Sequence, residues 1–522
     1  MAQGKTASED PLLFPKDKFT EETVTVKTAT GEKKVVVRNY RHLLYVTKPV
    51  DKNYESLDVQ VPVSIDGKAI DPSNSPIVFM VGVAGYTSSP NIRDASTMMG
   101  APGSMGGPPS GQGGPGSMGG PPPGMGGPGG MGGPGGMGGP PPGMGGPGGV
   151  GGPPGMGGPG GNTEAIAEGY VIVNPGVRGR DNQAKDGTYY GKAPAAIVDL
   201  KAAVRYIRHN KGILPGNVDQ IIASGCSAGG GLSTLLGASG NSTLYEPYLN
   251  EIGAADAPDN IFAADCHSPI TDLDHADLSY EWEFGGSKSG GSSMIDKSIS
   301  ADLKRMFTTY QASLHLKGKD NFGTLTADNL GAYLVKYYLA PEATKYLLGL
   351  TEDKRKEYLA ANASWLKWDG KTASFTVEDF AAQHISRHKP APAFDASNLN
   401  NPETSLFGNT TTNARHFTPY GTQKFNGVTI DAGLQKVVNL MNPMYFILEK
   451  NSGAAQHWRI REGAIESDES AVVPVDVAAG LENMGRDVDA ALYWDAGHCQ
   501  DLDPQGFLAW MDKVTGYKIK YK

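Results

Sequence analysis

No apolar run in this chain approaches the length of a membrane span. The longest, around residues 77–85, falls well short of the ~18 residues a helix needs to cross a bilayer, so a transmembrane helix is excluded. Basic clusters are missing too. The 46 Lys and Arg are scattered against 55 Asp and Glu for a net charge of −9, which speaks against nucleic acid or an anionic membrane as partner. The first residues, MAQGKTASEDPLL, have neither a basic stretch nor an apolar stretch of the kind that makes a secretory leader. The chain is therefore either cytoplasmic or lacks a leader that has been removed. Cysteine is scarce, with three residues at 226, 266 and 499. Their number decides nothing, but their positions do.

What the chain does have begins with length. At 522 residues it exceeds one ordinary domain, so a main domain carrying a large insertion is expected. From about residue 99 to 162 runs a tract of MGGPGG and GGPPPG units without a charged residue between Gly100 and Gly161. Such a composition cannot bury enough apolar surface to offset its ordering entropy, and a disordered flap or linker is expected there. Its PPPG units break the strict triplet that collagen requires. Its methionines could bind a soft metal such as Cu(I), the less favoured reading.

Elsewhere strands alternate with helices. Residues 35–45 and 58–63 read as early antiparallel strands, and 76–83, 170–174, 218–224, 457–461 and 488–494 as strands of a buried sheet. Residues 194–210 read as an amphipathic helix with Ile197, Leu200, Val204 and Ile207 on one face, led by Pro194 at its first position. Further helices are expected from Leu232 onward, at 471–484 and at 505–514. This pattern predicts an α/β fold with a mostly parallel sheet covered on both faces. Between about 273 and 427 the alternation gives way to helical segments (300–315, 328–339, 341–350) and polar loops, which predicts an inserted helical cap. The expected parts are thus 1–98, 163–272 and 428–522 for the main domain, 99–162 for the Gly/Met/Pro insertion and 273–427 for the cap.

Gly225-Cys226-Ser227-Ala228-Gly229 matches the G-x-S-x-G pattern. The pattern alone is weak, but here it follows the apolar strand IIASG and opens the helix GGGLSTLLG, the setting of a nucleophile elbow. A serine hydroxyl needs a base to accept its proton. His498, in Trp494-Asp495-Ala496-Gly497-His498, sits past a predicted strand and before the last helix, where a base on the sheet's C-terminal rim belongs. The acid should follow HWRIR, and Glu466 and Asp468 are both candidates. Asp495 lies too close along the loop to orient His498, and exposure to solvent accounts for it better. The oxyanion hole would draw one N–H from Ala228 and one from the loop after residues 76–83, with Ala84 favoured.

Cys226 immediately precedes Ser227, and Cys499 immediately follows His498. If the serine and histidine meet, their neighbours can come within the ~6 Å Cα separation that a disulfide tolerates. Two free buried cysteines are the alternative.

At this point the chain resembles the tannase and feruloyl-esterase families of the α/β-hydrolase superfamily, whose paired-cysteine signature the Cys-Ser…His-Cys arrangement matches. The wider sequence is still more similar to bacterial tannases, on GVRGRD (176–181), GKAPAAIVDLKAAVRYIR (191–208), SAGGGLSTLLGASGNS (227–242), LYEPYL (244–249), PITDLDHAD (269–277), YEWEF (280–284), FDASNLNNPETSLFG (394–408) and HWRIREGA (457–464). The resemblance implies a bonded Cys226–Cys499 pair, and with it an oxidising, secreted or periplasmic location. It implies a serine esterase acting on galloyl esters, or in the alternative on feruloyl esters, with a small-molecule substrate and neither cofactor nor metal. It implies a pocket in which Lys389, Glu403 and Asp468 bind the ring hydroxyls. Apart from the resemblance, Lys389 and Glu403 read as surface charges. Where the family has its triad aspartate this chain has Glu466, which takes that role here, with Asp468 as the substitute.

Overall fold

The computed structural model describes residues 10–90, 161–286 and 295–522. The tract expected at 99–162 lies outside the described residues except for its last two positions, which open helix α1 (Gly161–Ala167).

The central sheet runs β1 (Thr20–Thr28), β2 (Gly31–Leu44), β3 (Ser56–Ile65), β4 (Pro76–Val81), β5 (Val171–Pro175), β6 (Asn217–Cys226), β7 (Ala263–His267), β8 (His457–Gly463) and β9 (Asp487–Tyr493) in chain order. In space the order is β1-β2-β3-β5-β4-β6-β7-β8-β9, with the two-residue strand Lys68–Ala69 beside β3. The first three strands and the β3/β5 pair are antiparallel. From β5 to β9 every neighbour is parallel. The fold is therefore the α/β arrangement expected, with the inner strands of its parallel half buried on both faces and the edge strand β9 partly exposed. Alternation within β4 shows how: Ile77, Phe79 and Val81 join one core while Val78 joins the other.

Helix α2 (Ala195–His209) covers one face of the sheet, with Pro194 standing just before it and not within it. It is buried almost all round, not on one stripe, because its polar face is internally paired. Lys201 and Arg205 both reach Asp259, at 2.9 and 2.8 Å. On the opposite face the closing helix (Pro504–Thr515) packs Phe507, Trp510 and Met511 against Val78, Ile172 and Ile222.

Among the described residues, the stretch from 273 to 427 adds no strand to this sheet. It holds α3 (Leu273–Phe284), the helices Lys297–Ser313, Ala340–Gly349 and Glu352–Ala361, and two small two-stranded sheets. No helix among the described residues is long and apolar enough to cross a membrane.

Candidate active site

Strands β4 and β6 to β9 end on one rim, where Ser227 stands between the end of β6 and the helix that Ala228 opens, and His498 stands on the loop after β9. Ser227 takes φ 60° and ψ −129°, a conformation L-residues avoid at a cost of about 1–3 kcal/mol. The surroundings over-determine it. Its N–H donates to His267 O at 3.0 Å, and its carbonyl accepts from Gly231 and Ile270. The two flanking glycines are required by space: a Cβ on Gly225 would lie 2.5 Å from Gly229 O, and one on Gly229 would lie 2.3 Å from Val81 O. Sequence and geometry thus agree on an elbow that lifts one hydroxyl above the sheet.

The elbow also fixes the loop after β4. Gly229 N–H donates to Val83 O at 2.9 Å, which brings the Val83–Ala84 peptide against the helix that Ala228 begins. The N–H groups of Ala84 and Ala228 find no acceptor among the described residues, leaving both available to a developing oxyanion.

His498 donates through Nδ1 to Glu466 Oε1 at 2.5 Å, whereas Asp468 Oδ2 lies 3.8 Å from the same nitrogen. Burial pulls the imidazole pKa down, but the bond to Glu466 and the negative charges of Glu466 and Asp468 outweigh it, and the result is raised. With Nδ1 so engaged, Nε2 is the nitrogen left for proton transfer, and it has no partner among the described residues. No hydrogen bond joins it to the Ser227 hydroxyl among them either.

What ties the two loops together is covalent. Cys226 and Cys499 form a disulfide with a Cα separation of 5.9 Å across 273 residues of chain. Cys266 is free and buried. Replacing both bonded cysteines with serine is expected to lower unfolding stability by about 2–5 kcal/mol, read as a fall in the denaturation midpoint. An unmoved midpoint and unmoved turnover would deny the cross-link its role in fixing the His498 loop.

Glu403 and Lys389 are not the surface charges that their types suggest. Glu403 is 5% exposed, and burial raises its pKa while the charges of Lys389 and Arg180 lower it and that of Asp468 raises it further. Lys389 is half-buried with Nζ 4.0 Å from the centre of the Phe394 ring. Asp468 is pulled down to about 2, chiefly by its hydrogen bond to His388, against burial, and then by the charges of His498 and Lys389. Lys389, Glu403 and Asp468 therefore act on one another and, through Asp468 and Lys389, on His498.

Three further residues join this group without having been legible in the sequence. His388 meets Ser467 Oγ at 2.6 Å and Asp468 Oδ1 at 3.1 Å, closing the 388–389 segment onto the acid loop. Glu469, buried, accepts from Thr271 N–H and feels the charge of Lys389. Arg180 donates from Nε to Gly85 O beside the oxyanion loop and acts on Glu403. Adjacency to Lys389 and Asp468 was the one available signal, and it covers only the first two. Asp495 is a correction. It is half-buried, not solvated, and accepts from His384 Nε2 at 2.7 Å and Tyr358 OH at 3.2 Å, so it fastens the 273–427 stretch to the loop of His498.

The sheet order, the elbow on its rim and the histidine loop cross-linked to it define a carboxylic ester hydrolase of the α/β-hydrolase fold. Residues 160–310 match the BD-FAE family model. Over 97% of its length the chain superposes on the tannase of Fusobacterium nucleatum, covering 99% of that chain at 29% identity and TM-score 0.74. It superposes equally far on a tannin acyl hydrolase in complex with 3,4-dihydroxybenzoate, covering 99% of that chain at 30% identity and TM-score 0.76. The native tannin acyl hydrolase of Lactobacillus plantarum is similar at 29% identity over 97% of this chain and 99% of that one, with TM-score 0.75. No curated protein matches. The chain belongs to the tannase family.

Proposed function

We propose that this protein hydrolyses galloyl esters, tannins and alkyl gallates among them, through an acyl-enzyme. Ser227 attacks the ester carbonyl, and His498 takes its proton at Nε2. Glu466 holds the imidazole through Nδ1 and faces the imidazolium as it forms, while the N–H groups of Ala228 and Ala84 receive the oxyanion. The imidazolium gives that proton to the departing alcohol as the ester C–O bond breaks, leaving the acyl-enzyme. Water then gives a proton to the same histidine and attacks the acyl carbon, and Ser227 takes the proton back as gallate leaves. Lys389, Glu403 and Asp468 bind the ring hydroxyls, and the stretch 273–427 is the lid that carries the first two. The domain limits read from the sequence stand as part of this proposal, as does a secreted or periplasmic location, which the disulfide favours.

The observation that carries the reading is the buried Glu403, electrostatically linked to Lys389 and Asp468 at the side of His498. Two carboxylates and an ammonium suit a ring with three adjacent hydroxyls, and the similar tannin acyl hydrolases solved with ethyl gallate and with 3,4-dihydroxybenzoate support that choice. The BD-FAE match supports a second reading, a feruloyl esterase with the same triad.

The rate ratio of methyl gallate to methyl ferulate separates the two, and gallate is expected to be preferred. Each charge-assisted bond to a hydroxyl contributes about 1.5–3 kcal/mol, so Glu403→Ala should cut kcat/KM for methyl gallate by about 10- to 100-fold. Hydrolysis of methyl benzoate, which has no hydroxyl to recognise, should change far less. Ferulate as the better substrate, or equal losses on gallate and benzoate, would reject the galloyl pocket.

A further inference from the structure

Behind the Glu466–His498 pair lies a group of carboxylates that the mechanism above does not use. Alternation along β8 sends Arg459 and Arg461 to one face, where they bond Asp265, Tyr493 and Asp489, and sends Glu462 to the other. Glu462 is 2% exposed, and Glu466 acts on it both by its charge and as a hydrogen-bond partner of the protonated acid. The charges that bear on it most are all negative: Glu466 and Glu469 from the loop after β8, and Glu283 from α3. The positive charge of Lys389 acts on Glu469 and on His498.

Taken as carboxylates, the group leaves both oxygens of Glu462, Oε2 of Glu466 and Oε1 of Glu469 buried without a partner among the described residues. Buried acceptors that face one another need a proton between them, since two adjacent anions in a dry interior repel and neither gains a bond. Glu466 already accepts from His498 Nδ1 through Oε1 and must stay anionic to face an imidazolium, so the proton belongs to Glu462.

We propose that Glu462 stands as a neutral carboxylic acid and donates to Oε2 of Glu466, so that Oε1 stays aligned on Nδ1 of His498. It is a positioning residue. A glutamate in the acid position has one more rotatable bond than an aspartate, and a hydrogen bond on its far oxygen is the restraint that the extra bond calls for. Burial drives the same protonation, since it raises the pKa of Glu462 far above the usual carboxylate range, with the neighbouring Glu466, Glu469 and Glu283 adding to the rise.

The inference rests on the triad proposed above, and its test does not depend on substrate choice. Glu462→Leu removes the donor and strands Oε2; kcat for methyl gallate should fall about tenfold or more. The acid limb of kcat/KM, which reports His498, should move to higher pH because Glu466 loses a bond that drew charge from it. Glu462→Gln keeps a donor without a charge. It should restore most of kcat and leave the acid limb where it is in the wild type. An ionised Glu462 would instead support the imidazolium, so Glu462→Gln would move the acid limb to lower pH, and that result overturns the proposal. Wild-type kcat in a folded Glu462→Leu overturns it as well. Should Glu462→Leu fail to fold, the limb position in Glu462→Gln still decides. Failure of either variant leaves the role of Ser227 untouched, because that role is read from the loss of turnover on its own replacement.

Discussion

Replacing Ser227 with alanine is expected to lower kcat for methyl gallate by about 10⁴-fold or more, while the unfolding midpoint stays within the error of the measurement. The fall is large because the acyl-enzyme cannot form without the hydroxyl, and only the oxyanion donors and the substrate pocket remain to assist water. The fold should survive because the elbow does not depend on the hydroxyl. Its strained backbone is held by main-chain bonds to His267, Gly231 and Ile270 and by the glycines at 225 and 229, and alanine meets the same φ of 60° with the same Cβ. Measured together, turnover and circular dichroism separate lost chemistry from lost structure. Retained turnover in a folded variant would remove Ser227 from the mechanism. Labelling of the wild type by an organophosphate, traced to Ser227 by peptide mass, would be the complementary result.

The sheet was legible wherever a strand is buried on both faces by apolar residues alone. Strand β4, PIVFMV, reads as a continuous run because both faces need it to be one. Strand β7, AADCH, is buried at all five positions and yet escaped notice, since Asp and His are poor strand signals. Its Asp265 is tolerated because Arg459 and Ser224 bond it, at 2.9 and 2.7 Å, and Arg459 lies nearly two hundred residues away. Strand β1, TEETVTVKT, was missed for the opposite reason: it is mostly exposed at the sheet edge and reads as polar loop.

The site divides along the same line. The elbow was legible because G-x-S-x-G is a local solution to a local steric problem. The choice between Glu466 and Asp468 was not, because two residues on one loop differ only in where the backbone aims them. The burial of Glu403 was equally hidden. Nothing near it in sequence supplies Lys389 or Arg180, and composition alone assigns such a residue to the surface.

Glu466→Gln is the replacement that decides which carboxylate orients the base, with an expected loss in kcat of about 10³- to 10⁴-fold. The carboxylate accepts from Nδ1 and so keeps Nε2 free of a proton. An amide that turns its NH₂ toward Nδ1 makes that nitrogen the acceptor, moves the proton to Nε2 and leaves the histidine unable to take one from Ser227. A second consequence has a definite sign. Burial lowers the His498 pKa, and the bond to Glu466 and the charge of that carboxylate do most to raise it above its ordinary value. Without that charge the pKa falls, so the residual activity should lose its acid limb at a lower pH than the wild type does. Asp468, at 3.8 Å, is the competing orienter. If it serves in place of Glu466, then Glu466→Gln will keep turnover within about tenfold of wild type, and Asp468→Asn will produce the collapse instead. In that event the galloyl pocket would hold one carboxylate, not two, and the preference for gallate would have to come from Glu403 and Lys389 alone. The two variants, each assayed on methyl gallate and methyl benzoate, therefore test the acid and the pocket together. A loss common to both substrates marks the residue that orients His498, and a loss confined to gallate marks the residue that reads the ring.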